Sequence, residues 1–106
     1  MKGAKHVEQC DKAALQRSAD LLKALAHPAR LCIVKMLMDG QCRTVGAMEL
    51  CLPLSQSGVS QHIARLRAAG IATGERNGNE ICYSLADERA KAVVELLLRG
   101  CEGEKG

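Results

Sequence analysis

The chain has 106 residues, of which 47% are hydrophobic and 25% are charged, and its formal net charge is +3. This length suits a single domain, and this balance of residue types excludes a disordered chain. With one Tyr and neither Phe nor Trp, the core must be built from aliphatic side chains, which favours packed helices over a β-sandwich. There is neither a signal peptide nor an apolar run of ~18 residues, so we expect a cytoplasmic protein without a membrane partner.

Two helices are predicted in the first part of the chain. The first runs from Asp11 to Ala26, and Pro28 suits the first turn of a second helix that ends near Met38. The apolar residues at helical spacing in the first helix are Leu15, Ala19, Leu22, Leu25 and Ala26. Those placed on the inner side of the second helix are Leu31, Val34, Leu37 and Met38.

A short helix, a tight turn and a longer helix follow. Thr44 is a suitable N-cap for the short helix, which is predicted over Val45 to Cys51. A proline prevents that helix from continuing, and Ser55 caps the longer helix from Gln56 to about Ala69. The longer helix places its apolar residues on one face, and these are Val59, Ile63 and Leu66.

After Gly70 the pattern changes to strands. Ile71 to Thr73 is β-compatible, Gly74 to Asn79 has the composition of a turn, and Glu80 to Leu85 alternates apolar and polar residues. A last helix is predicted from Asp87 to Gly100. Its apolar stripe consists of Ala90, Val93, Val94, Leu97 and Leu98.

This order of elements predicts one winged helix-turn-helix domain over residues 1–106, mainly α with a small β-hairpin wing. We expect residues 1–10 and 102–106, at the two ends, to be flexible.

The polar face of the longer helix points to DNA as the partner. In a winged helix-turn-helix this helix enters the major groove and presents its N-terminal residues to base edges. Between Leu50 and Gly74 the sequence contains no Asp or Glu, whereas a solvated helix face usually mixes both signs. The residues predicted to contact bases or phosphates are Ser55, Gln56, Ser57, Ser60, Gln61, His62 and Arg65, with Arg76 and Asn77 at the tip of the hairpin.

Two other functional classes fit the sequence less well. An enzyme would need a nucleophile with its base, a phosphate-binding loop or a ligand cluster with open coordination, and the sequence shows none of these. A winged helix that binds only proteins would carry acidic or apolar residues on the exposed face of Gln56–Ala69, and these are absent.

The same segments resemble the ArsR/SmtB family of bacterial winged-helix repressors. The similarity extends from about Ala13 to Leu98 and is strongest in LAHPARL at Leu25–Leu31, LSQSGVSQHIARL at Leu54–Leu66 and YSL at Tyr83–Leu85. It implies a homodimer that pairs through its first and last helices, binds an inverted-repeat operator in double-stranded DNA and leaves it when an inducer arrives. The implied interface residues are Leu15, Leu22, Val93, Val94 and Leu97.

The inducer is predicted to act on cysteine thiols. Arsenite-sensing members carry a Cys-x-Cys motif on the short helix and zinc-sensing members an Asp-x-His pair early in the last helix, and this chain has neither. Its six cysteines and three histidines favour arsenic(III) or another soft metal ion as inducer, with no obligatory cofactor. The alternative is a cysteine pair that closes under oxidants or reactive sulfur.

The candidate sensing residues are Cys101, Cys32 and Cys82. Cys101 comes first because it lies in a polar, glycine-rich segment where packing gives no reason for a cysteine. Cys32 lies one helical turn before the position that sulfur-sensing relatives use, and Cys82 is a second partner for Cys101. Cys10, with His6 four residues earlier, offers one edge of a metal site. The other two cysteines, Cys42 and Cys51, are interpreted as small buried hydrophobes.

Overall fold

The computed structural model describes residues 11–105, with side chains for residues 11–100. In this range the elements are α1 (Lys12–Leu25), α2 (Pro28–Leu37), α3 (Val45–Glu49), α4 (Gln56–Ala68), β1 (Ala72–Asn77), β2 (Glu80–Leu85) and α5 (Glu88–Lys105). The two strands form an antiparallel hairpin, so the predicted winged helix-turn-helix, mainly α with a small wing, is confirmed. None of the helices described is both long and apolar enough to cross a lipid bilayer.

Each helix begins at a side chain that accepts a hydrogen bond from an amide of its first turn. The accepting residues are Asp11, His27, Thr44, Ser55 and Asp87. A cap of this kind satisfies one of the amides that have no partner within the helix, which explains why the helices start where they do. The predicted caps Thr44 and Ser55 are confirmed.

Three predicted boundaries are wrong. The short helix ends at Glu49 and not at Cys51, and the last helix continues past Gly100 to Lys105. The segment from Gly74 to Asn77 was predicted as turn, but it is paired with β2, and the loop consists of Gly78 and Asn79 alone. Gly78 has a φ of 69°, which suits the first central position of a tight hairpin loop.

Gly74 has a packing role in the wing. It lies opposite Tyr83 in the hairpin, and a Cβ at this position would lie 2.9 Å from both Ile81 Cγ2 and Tyr83 Cε1. A side chain would therefore displace the two strands or the Tyr83 ring. Gly74 therefore allows the two strands to pack closely. Because glycine is also common in turns, its presence led to the wrong prediction of a turn here.

The core lies between the helices and the base of the hairpin. Its largest fully buried side chains are Ile33, Leu37, Met48, Leu66, Ile71, Val34, Val59 and Val94. The first helix buries Leu21, Ala24 and Leu25, of which only Leu25 was among the apolar residues picked out by spacing, and leaves Leu15 and Leu22 exposed. In α2 the fully buried Ile33 was missed.

The wing is fastened to the segment that precedes α3. Arg43 and Tyr83 exchange two backbone hydrogen bonds of 2.8 Å, so Arg43 continues the sheet beyond β2. Next to this pair a disulfide joins Cys42 to Cys82, with 5.3 Å between their Cα atoms. The pairing of Cys82 with Cys101 is therefore not the one in the structure. Cys42 and Cys51 are exposed, so their interpretation as buried hydrophobes is wrong.

Candidate nucleic-acid interface

The exposed face of α4 carries most of the residues predicted to contact DNA. Val59, Ile63 and Leu66 turn inward and are buried, and α4 packs with this face on α3 and α2. On the opposite face the polar side chains stand in solvent. These exposed residues are Ser55, Gln56, Ser57, Ser60, Gln61 and Arg65.

The first turn of α4 is held by its own hydroxyl groups. The Oγ of Ser55 accepts a hydrogen bond of 3.2 Å from the Gly58 amide and lies 3.2 Å from Ser57 Oγ. Because the Ser55 hydroxyl caps the helix, Gln56 and Ser60 are better placed than Ser55 to contact base edges.

Positive charge on α4 lies beyond the first turn. Arg65 is exposed on the polar face. The guanidinium carbon of Arg67 lies 5.7 Å from the centre of the Tyr83 ring, a cation–π contact that ties the end of α4 to β2. The stretch from Leu50 to Gly74 contains no acidic residue, so no carboxylate of this stretch lies beside these two arginines.

The wing tip is polar but not uniformly basic. Arg76 and Asn77 are exposed, as predicted for residues that reach the DNA backbone, but Glu75 and Glu80 are exposed beside them. Because opposite charges alternate along the hairpin, Arg76 is the cation of the wing that can meet a phosphate while the two carboxylates must turn away.

His62 occupies a different environment from the other predicted contact residues. It is half-buried, and its ring centre lies 4.3 Å from that of His27. Its Nδ1 lies 3.3 Å from Nη1 of Arg30, and because a guanidinium only donates, Nδ1 must accept. The structure therefore directs His62 toward α2, and its contact with phosphate stays a prediction.

Arg30 is a residue that sequence reasoning missed. It is the buried charged side chain of the described core, and its Nε donates to the carbonyl oxygen of Ala24 in the last turn of α1. The carbonyl end of a helix favours a cation. Arg30 therefore links α1 and α2 to His62 on α4. The sequence offered one signal for its burial, because Arg30 lies three residues before Ile33 and four before Val34 and so shares their face of the helix.

The environment of His62 makes stability depend on pH. Burial holds the pKa of the His62 imidazole below its usual value of 6.5, and the charges of His27, Arg30 and Arg65 lower it further. The unfolded chain therefore binds the proton first, so the free energy of unfolding decreases as the pH falls from about 6.5 toward the lower pKa of the folded protein.

We expect His62→Gln to remove part of this pH dependence, because a Gln amide oxygen still accepts from Arg30 but does not titrate. Thermal unfolding midpoints of both proteins between about pH 7.5 and about 5.5 check the expectation. The wild-type midpoint should fall more steeply. Parallel curves for the two proteins would mean that the His62 ring does not carry the effect.

The predicted thiol sites do not come together in the described part of the chain. Cys82 is bonded to Cys42, whereas Cys32 is a half-buried free thiol and Cys51 an exposed one. The side chain of Cys101, like Cys10 and His6, lies outside the residues whose side chains are described. Among residues 11–100, no three His, Cys, Asp or Glu side chains are grouped so that they could hold a metal ion.

An apolar surface is formed by exposed leucines of α1 and α5. Leu15, Leu22 and Leu97, all predicted interface residues, are 57%, 54% and 58% exposed, and Leu96, which was not predicted, is 62% exposed. Val93 is half-buried and lines a shallow groove between the two helices. Val94 is fully buried in the core of the single chain, so its assignment to a dimer interface is wrong.

Comparison with known sequences relates this chain to bacterial regulators. A helix-turn-helix domain family matches residues 25–75. The transcriptional repressor SmtB of Mycobacterium tuberculosis is 44% identical over 80 residues, which are 76% of this chain and 58% of SmtB, so the chain spans little more than half of that relative. The transcriptional activator HlyU of Vibrio cholerae is 42% identical over 79 residues, which are 74% of this chain and 72% of HlyU.

Solved structures agree with this relationship. HlyU of Vibrio cholerae superimposes with a TM-score of 0.77 at 37% identity, over 84% of this chain and 96% of HlyU. Its reduced form gives a TM-score of 0.76 at 38% identity, over 83% and 92%. The homodimeric winged helix-turn-helix DNA-binding domain Mb0332 of Mycobacterium bovis gives 0.74 at 26% identity, over 91% and 90%.

Proposed function

This chain belongs to the ArsR/SmtB family of winged helix-turn-helix transcriptional regulators, and from that premise we propose that it is a homodimeric repressor which binds an inverted-repeat operator in double-stranded DNA. It acts in the cytoplasm and catalyses no reaction. The observation that carries the proposal is the surface of α4, where exposed hydrogen-bonding side chains lie on a stretch without a single carboxylate. Repression is supported by the similarity to the repressor SmtB at 44% identity, whereas HlyU, at 42% identity, is an activator.

The dimer is supported by the apolar surface on α1 and α5. Four leucines there are more than half exposed, which is unfavourable for a chain that stays monomeric. Pairing two copies across these helices covers the leucines and leaves both recognition helices free. Two recognition helices related by a twofold axis match the two halves of an inverted repeat.

The first inducer class that we propose is a soft metal ion or arsenic(III). Such ions are held by two or three thiolates, and Cys101 and Cys32 remain the candidate ligands. Cys82 can join them only when its bond to Cys42 is open. Thiolate-to-metal absorption together with proton release on binding tests this class.

The second class of signal that we propose, an oxidant or a reactive sulfur species acting on a cysteine pair, is favoured by a specific observation. The structure contains a closed cysteine pair, Cys42 and Cys82, at the junction between the helix-turn-helix and the wing. A reversible bond at this position responds to the thiol–disulfide balance without any metal.

The DNA-binding proposal is tested by Arg65→Ala on a duplex that the wild-type protein selects from a random library. We expect weaker binding to all duplexes, because a phosphate contact carries no sequence information. The slope of log affinity against log salt concentration should decrease in magnitude by about 2, since the proposed dimer carries two copies of Arg65 and loses one phosphate contact in each half-site.

Lys12→Ala is the matched control, because Lys12 is an exposed cation at the start of α1, outside α4 and the wing that form the proposed DNA interface. Its affinity and salt slope should equal those of the wild type. If Arg65→Ala retains both values of the wild type as well, α4 does not lie on the phosphate backbone.

A further inference from the structure

The Cys42–Cys82 disulfide closes a covalent ring around the DNA-reading part of the protein. The two cysteines are 40 residues apart, and the segment between them contains α3, the tight turn, α4 and β1. Outside this ring lie α2 and the two helices that carry the proposed dimer surface, α1 and α5. A change at the bond therefore acts on the reading elements and leaves the dimer surface untouched.

The bond also lies where the first helix of the motif meets the wing. Cys42 precedes Thr44, whose Oγ1 accepts from the Ala47 amide and caps α3. Cys82 is in β2, opposite Glu75 of β1. The sulfur–sulfur bond is thus a direct link between the start of α3 and the hairpin that carries Arg76.

Without this bond, Arg43 still joins the segment before α3 to the wing, and the buried Tyr83 still packs the wing on the core. Its backbone pairs with Tyr83, its Nε donates to the carbonyl oxygen of Met36 at 2.9 Å, and its guanidinium forms an ion pair with Asp39. The ion pair is exposed and therefore contributes little. Opening the disulfide removes the covalent link and leaves the wing held by the two backbone hydrogen bonds of Arg43 and by the packing of Tyr83 and Ile81 on the core.

We propose that Cys42 and Cys82 are a reversible dithiol–disulfide pair that sets the operator affinity of this protein by fixing the wing on the helix-turn-helix. The inference rests on the DNA-binding function proposed above. The closed pair is the high-affinity state, because a wing that is already in place loses less freedom on binding. By linkage, operator DNA in turn favours the closed pair.

The chemistry needs a peroxide as oxidant and a small thiol as reductant. The thiolate of Cys42, which is the exposed partner, attacks hydrogen peroxide and breaks its O–O bond; one oxygen stays on the sulfur as a sulfenic acid, and the other leaves as hydroxide, which takes up the proton lost by the thiol and becomes water. The Cys82 thiolate then attacks the Cys42 sulfur, the S–S bond forms, and a second water leaves. In reverse, two small thiols are oxidised to their disulfide while Cys42 and Cys82 each recover a proton.

The first test compares the affinity of oxidised and dithiothreitol-reduced full-length protein for the duplex selected from a random library. We expect reduction to weaken binding by the wild type on the order of tenfold. Cys42→Ser should bind weakly in both conditions. Cys51→Ser, which removes an exposed thiol of the same motif, should respond to reduction as the wild type does.

Equal affinity of the two wild-type states, or tighter binding by the reduced one, would overturn the proposal and leave the DNA-binding function intact. Peptide mapping of the oxidised protein must give a Cys42–Cys82 linkage, and a Cys82–Cys101 linkage would also overturn it. Circular dichroism of the reduced wild type and of Cys42→Ser is the control that both proteins remain folded.

A second measurement does not depend on DNA. We expect the amide hydrogens of Arg43 and Tyr83 to exchange faster after reduction, while those of α5 do not change. If no duplex is bound in either state, the DNA-binding function fails, and faster exchange at these two amides still supports control of the wing by the pair. Unchanged exchange at both would overturn the proposed mechanism.

Discussion

Val94→Asp is expected to unfold the protein, whereas Leu97→Asp is expected to give a folded monomer. Val94 is fully buried in the cluster that contains Ile33 and Val34. A carboxylate there has no partner, so the free energy of unfolding should fall by at least about 4 kcal/mol, a large part of the total for a small domain. Leu97 is 58% exposed, so a carboxylate there meets water in the monomer but an apolar partner in the proposed dimer.

Circular dichroism and sedimentation distinguish the two outcomes. Val94→Asp should lose its cooperative thermal transition, and Leu97→Asp should keep its helical spectrum while its mass falls to that of one chain. Glu95→Gln, an exposed change between the two positions, should alter neither property. A dimeric Leu97→Asp would place the interface elsewhere, and a well-folded Val94→Asp would contradict the packing of α5.

The apolar stripe of α5 shows what periodicity can and cannot predict. The spacing of Ala90, Val94 and Leu97 correctly predicts an amphipathic helix, but it cannot say which neighbour each side chain faces. Ala90 and Val94 are fully buried against the chain's own core, whereas Leu97 faces outward. An apolar stripe that is too wide for one packing contact indicates that the helix faces two packing partners. Which residue faces which partner can be read only from the packed structure.

The local signals that orient α4 were reliable because they depend on neighbouring residues alone. The cap at Ser55 and the inward positions Val59 and Ile63 together orient α4, and this fixes which side its polar residues take. The environment of His62 was missed for the same reason. Its sequence position belongs to the recognition helix, but its half-buried ring is directed to α2 by Arg30, which is 32 residues away.

The cysteine pairing could not be predicted from the sequence. Cys42 and Cys82 meet because Arg43 and Tyr83, their chain neighbours, pair through the backbone. That pairing joins a loop to a strand across the whole helix-turn-helix. The predicted alternative, Cys82 with Cys101, considered only the neighbouring elements of the chain.

Opening the Cys42–Cys82 disulfide is expected to lower the free energy of unfolding by about 4 kcal/mol, the loop-closure value for a ring of this size. The effect acts on the unfolded chain, which the bond confines across a separation of 40 residues. Urea titrations of oxidised and reduced protein, at one protein concentration because a dimer is stabilised by mass action, measure the difference. The slope of the transition should also increase on reduction, since a less confined unfolded chain exposes more surface.

Cys51→Ser is the control for these titrations, because it removes an exposed thiol without opening a ring, and its midpoint should match that of the wild type. The double variant Cys42→Ser, Cys82→Ser should behave like the reduced wild type in both redox conditions. Equal midpoints for oxidised and reduced wild type would mean that the bond does not confine the unfolded chain.

Stability and DNA affinity report on different consequences of the same bond. Loop closure stabilises the protein through the unfolded state, whereas the proposed gain in affinity comes from the position of the wing in the folded state. A large change in stability with equal DNA affinities of the oxidised and reduced protein would mean that the disulfide serves stability alone. If stability and DNA affinity both change on reduction of the wild type, and neither changes in the double variant, the same two sulfur atoms stabilise the fold and set its affinity for DNA.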